Sequence, residues 1–151
     1  MPKFLEDKPL LDLREDWSWL AGIFEGEGTA CMSPSYSRKG GRCLDRLVMS
    51  IAQKDRQMLD EIKRITGTGS IHFSKSWEGF HWVCACRKAR EILADLYPYL
   101  RTDKKRAQVR ESLTMDAANR EASKHKMSEF RREPNHAKVS REASEKSVRV
   151  Q

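Results

Sequence analysis

The spacing of apolar residues alternates between that of a helix and that of a strand, and the order of these segments limits the fold. Apolar residues recur at helical spacing in "WSWLAGIFEG", "KDRQMLDEIKRIT" and "RKAREILADLYPYL". The segments "TACMSPSY" and "CLDRLVMSIAQ" have the character of paired strands, and "GSIHFSKSWEGFHWVCAC" predicts a second pair. The order helix, two strands, helix, two strands, helix predicts an α+β domain with antiparallel strands.

Residues that begin and end helices support these boundaries. Asp16 is a good N-cap for the first helix, and Gly28 would end it. Asp55 and Gly67 bracket the second helix in the same way, and Pro98 ends the third. A further helix is predicted in the basic segment "RTDKKRAQVRESLTMDAAN".

Length and composition predict one domain with an extension at each end. The chain has 151 residues, enough for a single hydrophobic core. We expect a lead-in of residues 1–15, a folded domain of residues 16–120 and a basic, partly helical or disordered tail of residues 121–151, where apolar residues become rare. No apolar run could cross a bilayer, and the N-terminus lacks the apolar core of a signal peptide. We therefore expect an intracellular protein, cytoplasmic or organellar, with no membrane partner.

The charge and the cysteines bear on the kind of partner. A formal net charge of +7 favours a polyanionic partner such as a nucleic acid. The cysteines form no CxxC pair, and inside a cell they should stay reduced. Cys84 and Cys86 share one face of a predicted strand. A zinc site that they form with His72 and His81 is an alternative to simple strand thiols.

The segment "WLAGIFEGEG" places two carboxylates where the first helix should end. Acidic groups at a helix C-terminus are normally unfavourable by about 0.3–1 kcal/mol, so Glu25 and Glu27 need a further explanation. Gly22 and Gly26 lie four residues apart on one helix face, which would let a second helix approach closely. The alternative is that these glycines relieve crowding within one domain.

The stretch "LAGIFEGEG", Leu20 to Gly28, resembles the signature of the LAGLIDADG homing endonucleases. The element order, the "QK" after the second strand and the "PYL" before a basic helix agree with that family, over residues 17–113. The resemblance implies the LAGLIDADG fold, αββαββα, with a curved antiparallel sheet that forms a DNA-binding saddle. It also implies a site-specific endonuclease that makes double-strand breaks in a long pseudo-palindromic DNA site by metal-dependent phosphodiester hydrolysis.

Because the motif occurs once, the resemblance implies a homodimer in which the first helices of two chains pack together. The expected interface consists of Leu20, Ala21, Gly22, Phe24, Glu25 and Gly26. Pairing would bring Glu27 close to its symmetry mate, and a cation would relieve their repulsion.

The resemblance also assigns the metal site, with Mg²⁺ or Mn²⁺ as the cofactor. It makes Glu27 the metal ligand, assisted by the backbone carbonyl of Gly26, and oxygen ligands of this kind suit magnesium. Glu25 occupies an earlier acidic position, for which a functional role and a structural role remain open.

Three further catalytic positions are implied by the resemblance. A glutamine at the end of the second strand, Gln53, would orient the water network, and Arg56 would supply a basic group early in the next helix. The family lysine after the "PYL" turn falls on Asp103, which is a departure from the pattern. We expect Lys104, its neighbour, to take over that role, or cleavage to be weakened.

Outward side chains of the sheet would read base edges in the major groove of double-stranded DNA. The candidate readers are Ser33, Ser35, Ser37, Arg46, Ser50, His72, Ser74 and Lys75. Candidate phosphate contacts in the first hairpin are Arg38, Lys39 and Arg42. The register of the last strand stays open, since either Trp82 or His81 could face outward.

Two other functions remain open. A protein of the same fold could bind DNA or RNA as an intron maturase or regulator without cleaving it. Intact Glu27 and Gln53 favour the enzyme, and Asp103 favours the binding protein. A basic α/β protein whose helix end resembles the motif by accident is the second rival.

Overall fold

The computed structural model describes residues 13–36, 38–41 and 43–132. The elements are α1 (Leu13–Glu27), β1 (Gly28–Ser33), β2 (Arg46–Gln53), α2 (Arg56–Thr66), β3 (Ser70–Ser74), β4 (Gly79–Ala85), α3 (Cys86–Leu96) and α4 (Asp103–Arg132). The strands form one antiparallel sheet in the order β1-β2-β4-β3. The predicted α+β class and element order are confirmed. Within the described ranges, no helix has both the length and the apolar content to cross a membrane.

The ends of α2 are set by local chemistry. The carboxylate of Asp55 accepts a hydrogen bond from the backbone N–H of Gln57 at 2.9 Å. This satisfies an N–H that has no partner within the helix. At the other end, Gly67 adopts a left-handed conformation with a φ of 65°, which glycine tolerates without steric strain. Both predicted caps are confirmed.

Asp16 is not the N-cap of α1, and that prediction is wrong. The helix begins at Leu13, so Asp16 lies in its first turn. Its side chain is almost fully buried, and both carboxylate oxygens accept hydrogen bonds from the guanidinium of Arg64 at 3.3 Å. A carboxylate removed from water needs such a partner. Asp16 therefore joins α1 to α2.

The register of the sheet settles which face of β4 is buried. Ile51 of β2 lies opposite Gly28 on one side and Trp82 on the other. Directly opposed residues in antiparallel strands share a face, and both Ile51 and Trp82 are fully buried. The indole N–H of Trp82 donates to the carbonyl of Thr68 at 3.1 Å. Trp82 is therefore a core residue, and His81 lies on the opposite face.

The described helices between residues 13 and 117 pack against one face of the sheet. The core between them contains Leu20, Ala21, Phe24, Ala30, Leu47, Met49, Ile51, Leu59, Ile62, Trp82, Cys84, Ala89, Ile92, Leu93, Leu96, Leu100 and Val109. Every strand except the edge strand β3 contributes fully buried side chains to this core. No helix described within residues 13–117 covers the other face, which we call the outer face.

The first strand is shorter than predicted. It ends at Ser33, immediately before Pro34, because proline has no N–H to donate to a neighbouring strand. Ser35 therefore lies in the loop. The free edge of β1 is bordered by the first turns of α4, where the hydroxyl of Ser112 donates to the carbonyl of Ala30 at 3.1 Å.

Contacts divide the chain into two units, Met1–Ala117 and Ala118–Gln151. In the second unit α4 continues as far as Arg132. Part of the predicted tail, residues 121–132, is thus helical, and residues 133–151 lie outside the described residues.

Candidate functional site

The strand residues on the outer face of the sheet have mostly small or polar side chains, and none of them is acidic. The register places on it Thr29, Cys31, Ser33, Arg46, Val48, Ser50, Ala52, Ser70, His72, Ser74, Gly79, His81, Val83 and Ala85. Small side chains let a partner approach the strands closely, and the absence of carboxylates at these positions avoids repulsion of a polyanion. This face can therefore accept a nucleic-acid backbone and groove.

Five predicted base readers lie on this face: Ser33, Arg46, Ser50, His72 and Ser74. Ser33 and Arg46 are directly opposite each other, and the Arg46 side chain is exposed. The hydroxyls of Ser74 and Ser76 are hydrogen-bonded at 2.9 Å. The structure thus brings these residues together on one surface.

The other predicted DNA contacts that the structure describes lie in the hairpin turns. Lys75 is exposed in the turn that joins β3 to β4, and Arg38 and Lys39 are exposed in the loop after β1. The carbonyl of Ser35 accepts a hydrogen bond from the backbone N–H of Cys43 at 2.8 Å, which closes that loop. Ser37 and Arg42 lie outside the described residues.

Sequence reasoning missed several positions on the outer face. These are Thr29, Cys31, Ser70 and Val83, and His81 was left undecided. Strict alternation counted from Gly28 would have found Thr29 and Cys31, because each lies one residue from a core position. Trp77 was also missed, since it belongs to a turn and strand alternation does not apply there.

The two glutamates at the end of α1 have different surroundings. Glu25 accepts hydrogen bonds from the backbone N–H groups of Thr102, at 2.7 Å, and of Arg101. These bonds hold the pKa of the Glu25 carboxyl below its usual value. Glu27, the last residue of α1, is exposed, and no described residue forms a hydrogen bond or ion pair with its carboxylate. Glu25 thus connects α1 to the segment before α4 within its own chain, which supports the structural alternative, whereas no described residue binds the carboxylate of Glu27.

Lys105, and not the expected Lys104, reaches this end of α1. The ammonium group of Lys105 donates a hydrogen bond to the backbone carbonyl of Gly28, whereas Lys104 is exposed. Burial, aided by the charge of Lys104, lowers the pKa of Lys105, and the negative charges of the two glutamates partly oppose this. Asp103 begins α4, where a carboxylate is favourable to the helix dipole.

Gln53 and Arg56 lie at the same end of the sheet as Glu27. Gln53 ends β2, two residues beyond Ile51. Ile51 is paired with Gly28, the residue that follows Glu27. Gln53 is also opposite Phe80, and the guanidinium of Arg56 lies 5.8 Å from the centre of the Phe80 ring. Arg56 additionally forms an exposed ion pair with Asp60 at 3.7 Å.

The predicted interface on α1 needs correction. Leu20, Ala21 and Phe24 are buried in the core of their own chain, so they do not form a free surface. Gly22 and Gly26 are exposed, and a Cβ atom at either would have no neighbour within 4 Å. A cavity of about 600 Å³ borders this face and is lined by Ser18, Gly22, Glu25, Pro98, Tyr99, Leu100, Arg101 and Arg106.

The zinc alternative is wrong. Cys84 faces the core, where burial raises the pKa of its thiol, while His72 and His81 lie on the outer face. These side chains cannot converge on one ion across the thickness of the sheet. In the part of the chain that the structure describes, no three His, Cys, Asp or Glu side chains gather as a metal site.

Comparison with known proteins identifies the fold. No protein-family model and no curated protein sequence matches the chain. Among solved structures, the homing endonuclease I-CvuI in complex with its target is 21% identical, with a TM-score of 0.61 over 70% of this chain and 68% of that one. The group I intron-encoded homing endonuclease I-CeuI, complexed with DNA, is 16% identical, with a TM-score of 0.63 over 78% of this chain and 61% of that one.

A third homing endonuclease, I-TnaI, is 19% identical, with a TM-score of 0.56 over 85% of this chain and 96% of its own length. The chain therefore has the fold of the LAGLIDADG homing endonucleases, as the motif Leu20–Gly28 predicts.

Proposed function

We propose that the protein is a homodimeric, metal-dependent DNA endonuclease that makes a double-strand break in a long pseudo-palindromic site. The observation that carries this proposal is the carboxylate of Glu27, to which no described residue is bonded, at the end of a helix with an open glycine face. Gln53, Arg56 and Lys105 lie at the same end of the sheet. The neighbours I-CvuI and I-CeuI, which are bound to their target and to DNA respectively, support a DNA substrate.

The residues at the end of α1 fit a hard divalent cation. Glu27 offers an exposed carboxylate, and Gly26 offers a backbone carbonyl in the last turn of a helix, where carbonyls lack helical partners. Both ligands are oxygens, as Mg²⁺ and Mn²⁺ prefer, and a glycine at position 26 adds no side chain to obstruct the ion. Complexes of I-CvuI formed with calcium and with magnesium support a divalent ion. When bound, such an ion would lower the pKa of an attacking water and stabilise the leaving oxygen.

The chain's own side chains would position the substrate. The Gln53 amide can both donate to and accept from a water molecule, so it would orient the nucleophile. The Lys105 ammonium, held next to Glu27, would stabilise negative charge that develops on the phosphate. Arg56 would neutralise a phosphate on the approaching strand. In this assignment Lys105 takes the role that the sequence suggested for Lys104.

The proposed double-strand break needs two chains, because each chain supplies a single Glu27. Contact through the faces of Gly22 and Gly26 would place two α1 helices side by side about a two-fold axis. Each chain would then cut one strand, and the two outer faces would contact related half-sites. Two-fold symmetry of the protein requires a nearly palindromic DNA site.

A cleavage assay on a plasmid library with randomised inserts tests this function. With Mg²⁺ or Mn²⁺, the unaltered protein should linearise plasmids that contain its site. Glu27→Gln should abolish nicking and cutting but still retard duplex DNA, because the metal ligand is lost while the outer face is unchanged. Glu111→Gln, the same change at an exposed position of α4, should leave cleavage intact. Cleavage by the Glu27→Gln variant would remove Glu27 from the mechanism.

A binding protein without nuclease activity is the second candidate, and one observation favours it. Asp103 stands where the family resemblance calls for a lysine, and its side chain is exposed. If the unaltered protein retards duplex DNA or RNA with either metal but never cuts, this second function replaces the first.

A further inference from the structure

The side chain of Trp77 folds across the outer face of the sheet at the β3–β4 turn. Its ring covers Gly79, where a Cβ atom would lie only 2.1 Å from the indole and could not be accommodated. The indole N–H donates to Nε2 of His81 at 3.0 Å. The two rings are 5.1 Å apart and meet edge to face at 76°. Trp77 therefore fixes both the position and the orientation of the His81 ring.

This hydrogen bond decides which nitrogen of His81 carries the proton. An indole N–H can only donate, so Nε2 must be an unprotonated acceptor. Neutral histidine then carries its single proton on Nδ1. No described residue bonds to Nδ1 of His81. His81 is thus left with one unused donor.

The surroundings of His81 leave room for a ligand. On one side it faces Ala52, whose side chain is a single methyl group, and on the other it faces His72. His72 is exposed, and no described residue bonds to its ring. None of the described strand residues on the outer face carries a carboxylate that could accept the Nδ1 proton of His81.

We propose that Trp77 is a positioning residue that holds His81 as a neutral Nδ1–H donor for reading one base in the major groove. Suitable acceptors there are purine N7, guanine O6 and thymine O4. The reading role rests on the proposed binding of DNA by the outer face. No described residue fixes the proton of His72, so we expect His72 to read less selectively than His81.

Nitrogen-15 NMR of the imidazole groups tests the first part on the free protein. In the unaltered protein His81 should be in the Nδ1–H form. In Trp77→Phe, which keeps a ring over Gly79 but removes the donor, His81 should change toward the Nε2–H form. The signals of His72 should stay the same and serve as an internal reference. An Nε2–H form in the unaltered protein overturns the proposal without any variant.

Selection of bound duplexes from a randomised library tests the second part. Trp77→Phe should lose about fivefold or more of its preference at one symmetric pair of base positions, roughly the effect of one mismatched contact. Its affinity for unselected DNA should stay within about twofold, since phosphate contacts are unchanged. Phe73→Leu, on the opposite face of the same hairpin, should retain the full preference.

The outcomes separate this inference from the proposed function. If Trp77→Phe changes the proton position but not the base preference, His81 does not read a base, although the protein still binds DNA. If the unaltered protein binds no duplex DNA, the proposed function fails and the reading role fails with it. The NMR result on the free protein stands independently in both cases.

Discussion

The ammonium group of Lys105 donates a hydrogen bond to the backbone carbonyl of Gly28, the first residue of the strand that follows α1. The same ammonium lies 5.2 Å from the centre of the Phe24 ring. These two contacts hold a positive charge where the helix ends in Glu27, whose carboxylate is bonded to no described residue. A fixed charge beside the reacting group stabilises the transition state strongly in many enzymes, so this contact links the fold to the proposed chemistry.

Replacing Lys105 should therefore impair cleavage more than binding. We expect Lys105→Met to reduce the single-turnover cleavage rate by about 100-fold or more, the usual effect of removing one stabilising group. Duplex affinity measured by gel retardation should change little, because the proposed interaction strengthens only as charge develops on the phosphate in the transition state. Lys104→Met removes the same charge from an exposed neighbour and should cleave at nearly the normal rate. Equal losses in both variants would rule out a specific role for Lys105.

The pKa of Lys105 predicts how cleavage responds to alkaline pH. Burial lowers this pKa below the ordinary value of 10.5, so Lys105 loses its charge at a lower pH than an exposed lysine. The cleavage rate should fall as the pH rises toward 10.5, and the midpoint should lie below that value. A rate profile measured between neutral and alkaline pH, with DNA binding recorded at each point, checks this. A rate that stays constant throughout would show that the charge of Lys105 is not needed.

Glu25 should stabilise the fold only when it is ionised. Its pKa is held below the ordinary value of 4.5 by the backbone N–H groups of Thr102 and Arg101. Its contribution is therefore present above pH 4.5 and is lost as the pH falls through the lower folded-state pKa. Glu25→Gln should lower the free energy of unfolding by about 1 kcal/mol at neutral pH, and by less in acid. Urea unfolding at neutral pH and at a pH below 4.5 measures the loss of stability under each condition. Glu111→Gln is the control and should show no such difference.

The sequence predicts the local features of this fold better than the distant ones. Asp55 and Gly67 cap α2 through contacts with neighbours two to four residues away, which a sequence pattern can reveal. Asp16 has all the features of a cap, yet its partner Arg64 lies 48 positions away. The choice between Lys104 and Lys105 likewise depends on contacts with Gly28, 77 positions away. No local pattern contains such information.

Gly22 offers a test of the proposed dimer that leaves the fold of each chain intact. A side chain at this position would enter open space within its own chain, and leucine is more favourable than glycine in a helix by up to about 1 kcal/mol. Gly22→Leu should therefore keep or raise the thermal stability of the monomer. It should shift the sedimentation profile from dimer to monomer, because the added side chain separates the two helices. Ala94→Leu places the same leucine side chain at an exposed position of α3, and this variant should stay dimeric.

Arg46 tests whether the outer face reads DNA. It is an exposed cation on that face, directly opposite Ser33, and a guanidinium group can bond to a guanine edge through two hydrogen bonds. Arg46→Ala should weaken specific binding by about 1–3 kcal/mol and relax the preference at one symmetric pair of positions. If Arg46 instead contacts phosphate, affinity will fall equally for all sequences. The slope of log affinity against log salt concentration will then decrease in magnitude by about one. Arg87→Ala removes an equal charge from α3, where Arg87 pairs with Glu91 at 2.7 Å. Similar losses in both variants would show that net charge, and not the outer face, governs binding.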